Sequence, residues 1–107
     1  MSEAEQTTSS ASATSTYRYP TMRTYENVTK LAIVEVKPIM FDYWVDSCDK
    51  KIVIGVKEDG EKLLVKNSEE YTSPIAKIYK VDTEFIIVTE NSIYLVDNSI
   101  STKRISA

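Results

Sequence analysis

From Val28 onward, apolar and polar residues alternate with a period of two, and β-branched and aromatic side chains dominate the apolar positions. That is the pattern of short strands, each turning one face inward. Lys30–Val36 predicts a first strand, with Leu31 and Ile33 on one face and Ala32, Val34 and Val36 on the other. Pro38 lacks a ladder donor and bends the chain before a second strand, 39–46. There Ile39, Phe41, Tyr43 and Val45 share one face, and Met40, Asp42, Trp44 and Asp46 the other.

A turn cluster at 46–50 leads into a third strand, 51–57, and Asp59-Gly60 marks a tight hairpin because both residue types accept positive φ. The return strand is 62–66, and Asn67-Ser68-Glu69-Glu70 reads as polar loop. Two further strands, 75–81 and 84–90, flank a tight connection at Val81-Asp82-Thr83, and Asn91 turns the chain into a last strand, 92–96. The polar end, 97–107, is expected to fray, with Ile100 and Ile105 as late contacts.

Short strands at regular spacing, with connections too short for crossovers, predict an all-β fold: a small antiparallel meander closing into an SH3-like or OB-like barrel. Several strands are apolar on both faces. Closure of the sheet, or a second copy laid against it, would bury the outer side.

Composition sets the limits ahead of this region. Residues 1–16 are rich in Ser, Thr, Ala and Glu and lack aromatic or large aliphatic side chains after Met1. Ordering them would cost entropy with nothing to bury, so a disordered tail is expected. At Tyr17 the composition changes to an arm, 17–27, rich in Tyr and Arg, and the domain proper is taken as 28–107.

The chain has 107 residues and a net charge of -3, with the two signs interleaved. One domain is expected, and no basic stripe marks a duplex-binding face. A lone cysteine, Cys48, suits a reducing compartment. No apolar stretch approaches the roughly 20 residues of a membrane helix. A soluble, cytoplasmic protein without membrane contact is the expectation.

The chain contains no histidine, which removes the commonest general base and the commonest metal ligand together. Neither a zinc site nor any other cofactor is expected, and no enzymatic activity. With only two glycines, Gly55 and Gly60, a phosphate-cradling glycine loop is excluded. Carboxylate pairs occur at Asp42 with Asp46, on one strand face, and at Glu69-Glu70, and the first is the one nominated for a hydrolase.

The remaining candidates are recognition residues. Tyr17, Arg18, Tyr19, Arg23 and Tyr25 in the arm, with Tyr43 and Trp44 on the second strand, are types enriched at interfaces and form the predicted partner-binding set. The leading expectation is a non-enzymatic binding module and homo-oligomer that binds a host protein or small ligand, as an inhibitor or sponge. The alternatives are a single-stranded nucleic-acid binder stacking bases on Tyr43, Trp44, Tyr79 and Tyr94, or a small carboxylate hydrolase.

The second half carries a further pattern: Gly55, the turn at Gly60, Thr72-Ser73-Pro74-Ile75, and Thr89-Glu90-Asn91-Ser92-Ile93-Tyr94. It resembles small β-barrel proteins of tailed bacteriophages. The resemblance implies a phage-encoded accessory protein working in the bacterial host cytoplasm. It implies no enzyme activity and assigns no functional residue.

Overall fold

A computed structural model of the chain describes residues 18–106. The expected disordered tail, 1–16, and Tyr17 of the arm lie outside the described residues.

The largest departure from the sequence pattern comes first. Met22–Glu35 is an α-helix, α1, where the end of a Tyr- and Arg-rich arm and a first strand are expected from the sequence. Thr21 is its N-cap and accepts from the Thr24 backbone N–H, so the local capping chemistry was present in the sequence. Thr24 and Val28 are buried on one face, with Leu31 and Ala32 packed beside Val28. These positions recur at helical spacing. The helix stops at Val36, which takes a left-handed conformation (φ 55°) with its N–H bonded to the Ala32 carbonyl, and Pro38 follows.

The second predicted strand is also shortened, to Ile39–Met40 (β1), and a short helix, α2, occupies Trp44–Cys48. The remaining strands are β2 (Val53–Val56), β3 (Lys62–Asn67), β4 (Glu70–Tyr71), β5 (Ile75–Val81), β6 (Glu84–Thr89), β7 (Ile93–Asp97) and β8 (Ser101–Arg104). Five of these match predicted strands closely. The β2–β3 hairpin closes at Gly60 (φ 91°), and the β5–β6 turn places Asp82 at φ 52°.

The strands form two four-stranded sheets rather than a closed barrel, ordered β1-β7-β6-β5 and β4-β3-β2-β8. Among the described residues the fold is mostly β with two helices, and it is not a pure antiparallel meander, because β1 pairs parallel with β7 and β8 parallel with β2. The polar segment expected to fray supplies β8. Its four residues are all exposed, so main-chain pairing makes the strand, while buried Ile100 and half-buried Ile105 anchor its ends.

Two apolar layers explain the doubly apolar strands. On one face of the first sheet, Ile87 and Val96 meet Ile52, Ile54 and Leu64 of the second sheet region, with Tyr43 and Ile100. On the other face, Ile86, Val88, Ile93 and Leu95 meet Val28 and Trp44, with Leu31 and Ala32 beside them. The side expected to need barrel closure or a second copy is therefore covered by α1 of the same chain.

Candidate functional site

The densest polar cluster sits where the N-terminal segment meets the start of β6. The Glu84 side chain is fully buried, and an Arg18 guanidinium nitrogen lies 2.5 Å from its carboxylate. The other terminal nitrogen of Arg18 donates to Asp97 at 3.0 Å and to the Thr83 carbonyl at 2.9 Å. Glu84 also accepts from the Thr24 hydroxyl and from the Thr21 backbone N–H. Burial by itself would push the Glu84 carboxyl up. The bonds from Thr24, Thr83, Arg18 and Thr21 outweigh it and hold the group below its ordinary value. Asp97 is held down similarly, with burial opposed by bonds from Ser99 and Arg18.

Trp44 joins this cluster through both parts of its ring. Its indole N–H donates to the Arg18 carbonyl at 2.6 Å, and the Arg18 guanidinium lies 5.1 Å from the ring centroid. Ser47 ties α2 to β7 by donating to the Trp44 carbonyl and accepting from the Asp97 N–H. Every strong donor and acceptor here is consumed inside the chain. The cluster fastens residues 18–24 across the sheet and presents no open acid or base.

The other nominated residues divide by burial. Tyr43 is 3 % exposed in the core between the sheets, with its hydroxyl pushed up to about 12 by burial and by nearby Glu70, Tyr94 and Asp42. Tyr19 is 70 % exposed, Tyr25 is half-buried on α1, and Arg23 reaches Asp82 at 3.5 Å. The seven residues thus do not form one surface: Tyr17 lies outside the described residues, Arg18, Tyr43 and Trp44 serve internal packing, and Tyr19, Arg23 and Tyr25 lie along α1 and its approach. Asp42 and Asp46 do not share a strand face, since that strand is not formed, and Asp46 pairs with Lys66 at 3.3 Å.

Two of the grooves among the described residues lie elsewhere. The larger, about 860 Å³, runs over the outer face of the second sheet and is lined by Leu63, Val65, Tyr71, Pro74 and Ile105, with Lys57 and Arg104 on its rim. Ile105 packs onto Gly55, where an added Cβ would lie 2.8 Å from its Cδ1 and 2.9 Å from Val65 Cγ2. The glycine therefore sets the depth of the groove floor. Lys57 is paired with Glu61 at 2.9 Å, while Arg104 has no ion-pair partner among the described residues. The second groove, about 630 Å³, lies between α1 and the edge strand β5.

Sequence reasoning missed the first groove because its apolar residues occupy the outward positions of strands whose inward positions also carry Ile and Leu. The one available signal was the pairing of Gly55 with late Ile105, two apolar features with no partner in a meander. The chain matches no protein-family model, and no curated protein or solved structure is found similar to it.

Proposed function

We propose that this chain is a non-enzymatic binding module that takes an extended, apolar-plus-acidic peptide segment of a partner protein on the outer face of the second sheet. The observation that carries this reading is the open groove of Leu63, Val65, Tyr71, Pro74 and Ile105 with Arg104 on its rim. Tyr71 is 57 % exposed there, an aromatic anchor of the kind that dominates interface energetics. In line with the resemblance to tailed-phage β-barrel proteins, we take the partner to be a bacterial host protein and the mode of action to be inhibition by sequestration. The fold's relation to SH3-like or OB-like barrels belongs to the same proposal: two short sheets packed face to face are a barrel's wall opened at two edges.

The test compares the wild type with Tyr71→Ala/Arg104→Ala in capture from bacterial lysate, followed by binding of peptides cut from whatever is retained. Loss of an aromatic anchor and a charge-assisted contact is expected to weaken binding about a hundredfold, with the melting temperature unchanged because both side chains are exposed. A partner bound equally well by the double variant would defeat the reading.

Self-association is part of the proposal, supported by Ile33, Val34 and Val36 at the end of α1, which are 72 %, 75 % and 85 % exposed. Light scattering is expected to show a dimer that Ile33→Lys/Val34→Lys converts to monomer. A wild-type monomer at high concentration would remove this part.

Of the rings that a single-stranded nucleic-acid binder would use, Tyr43 and Trp44 are buried and Tyr94 is half-buried, while Tyr79 is 38 % exposed, so that reading has one open ring to rest on.

A further inference from the structure

The first sheet ends on β5, seven residues long, with no strand beyond it among the described residues. Val81 pairs with Glu84 across a two-residue turn, which makes that pair hydrogen-bonded and sets the alternation along the strand. Val81 and Tyr79 therefore spend their backbone groups on β6, while Lys80 and Ile78 turn theirs to the free edge. Neither of the latter makes a backbone bond outside the sheet among the described residues.

Natural sheet edges are protected by bulges, cover or charge. The first half of β5 has such protection: the register slips between Ile75 and Lys77, and the start of β3 lies beside it across a small cleft. The second half has little. Ile78 and Tyr79 are 37 % and 38 % exposed, and Lys77 is spent on Glu35 at 3.1 Å. Lys80 is left without an ion-pair partner among the described residues. A single lysine does not close an edge. It selects the strand that can join.

The two faces of this edge differ. Tyr79 stands opposite Ile86 and Val81 opposite Glu84, so both side chains lie on the side of α1 and form the strand wall of the groove of about 630 Å³. Asn27, Lys30 and Leu31 form the helix wall, and Ile86 part of the floor. The pairs Arg23–Asp82 and Glu35–Lys77 fasten the helix to the two ends of the strand and leave the middle open. Ile78 stands opposite Ile87 and Lys80 opposite Phe85, so these side chains lie on the side of the second sheet.

A groove between a helix and an edge strand with free backbone groups is what strand addition requires: main-chain bonds give affinity, and alternate side chains enter the groove. We propose that residues 78–81 take an antiparallel strand of a partner protein with the local order acidic, large apolar, β-branched. The acidic residue stands opposite Lys80 and the β-branched one opposite Ile78. The large apolar residue between them, opposite Tyr79, points into the groove toward Leu31 and Val81. The site is separate from the groove on the second sheet, and each proposal can fail without the other.

The test is an amide NMR titration of the full chain, up to millimolar concentration, with a capped peptide carrying Glu-Leu-Val between serine and threonine flanks. The amides of Ile78, Lys80 and 27–31 are expected to shift, and those of Leu63, Val65 and Tyr71 to stay. Methylating the backbone nitrogen of the peptide's valine removes the donor to Ile78 and is expected to weaken binding at least about tenfold. The same change at its leucine, whose N–H points away from β5, is expected to weaken it less than about twofold. Lys80→Glu should weaken the peptide about threefold and strengthen one with Lys in place of Glu by a similar factor. Lys80 is exposed, and an unchanged amide pattern away from the edge verifies that the variant folds. Tyr71→Ala/Arg104→Ala should bind the peptide as the wild type does. The proposal is overturned by an absence of shifts at Ile78 and Lys80, or by equal tolerance of the two methyl groups. Shifts at Leu63, Val65 and Tyr71 instead would place the peptide in the other groove and overturn it too.

Discussion

Arg18→Ala is expected to lower stability by about 2 to 3 kcal/mol near neutral pH, because it leaves the carboxylate of Glu84 buried without its cation. The figure lies at or below the low end of the roughly 3 to 5 kcal/mol for a broken buried pair. The Arg18 side chain is 37 % exposed, and donors from Thr24, Thr83 and Thr21 remain on Glu84. For a domain of this size the melting temperature should fall by about 10 to 20 °C. Glu84→Gln in the Arg18→Ala background should recover part of the loss, since a neutral amide in the same place needs no counter-charge. If the two changes are simply additive, the cluster is not the fastening that its geometry describes.

The same pair predicts a pH signature. In the wild type the Glu84 carboxyl is held below its ordinary value of 4.5, and Asp97 below 3.8. Groups depressed by folding stabilise the protein above those values, and the contribution is lost as pH falls through their folded-state values. Without Arg18 the opposing effect of burial is less compensated, so Glu84 titrates at higher pH in the variant. The stability gap between wild type and Arg18→Ala should therefore be full near neutrality and narrow as pH falls below about 4.5. A gap constant with pH, read from chemical denaturation, would show that Arg18 acts through packing on Trp44 instead.

Val28→Asp should have the larger effect, about 4 kcal/mol or more, a large fraction of what a domain of this size possesses. Val28 is 1 % exposed between α1 and the face of Ile86, Val88, Ile93 and Leu95. An aspartate there is a buried charge with no cation in contact, and the helix can escape it only by leaving the sheet. Far-UV dichroism should lose its helical component, and a hydrophobic dye should bind the uncovered face. Thr29→Asp, on the exposed side of the same helix, is the control and should cost less than about 1 kcal/mol. Equal effects at 28 and 29 would refute the helical assignment.

Why the helix was not legible follows from its residues. Val28, Thr29, Ile33, Val34 and Val36 are β-branched and favour strands locally, and apolar positions fall on both faces of an imagined strand at 30–36. The opposing signals, Thr21 as cap and the Thr24–Val28–Leu31–Ala32 spacing, are weaker than that propensity. Burial of the sheet face decides between them. The exposed Ile33 and Val34 that misled the pattern are the residues packing leaves over. Trp44 was misplaced for a related reason: alternation through 39–46 is compatible with a strand, yet Tyr43 and Trp44 enter different core layers by way of a short helix.

The residues nominated for recognition separate by burial. Tyr19, Arg23 and Tyr25 remain near the surface along α1, but Arg18 and Trp44 were nominated for the chemistry that makes them good internal anchors, a charged fork and an amphipathic ring. Burial, which separates the two roles, is not a property of the residue type.

What the sequence determines alone is local: the period-two strands β5, β6 and β7, the turns at Gly60 and Asp82, and the absence of histidine, with the chemistry that absence removes. Each depends on neighbours along the chain, or on composition, and needs no partner in space. What the tertiary structure decides is the cover over the first sheet, the pairing of polar β8 with β2, and the meeting of Thr24 with Glu84 across 60 positions. In each case the local preference is weak or opposed, and the free energy comes from burial and pairing between segments distant in the chain.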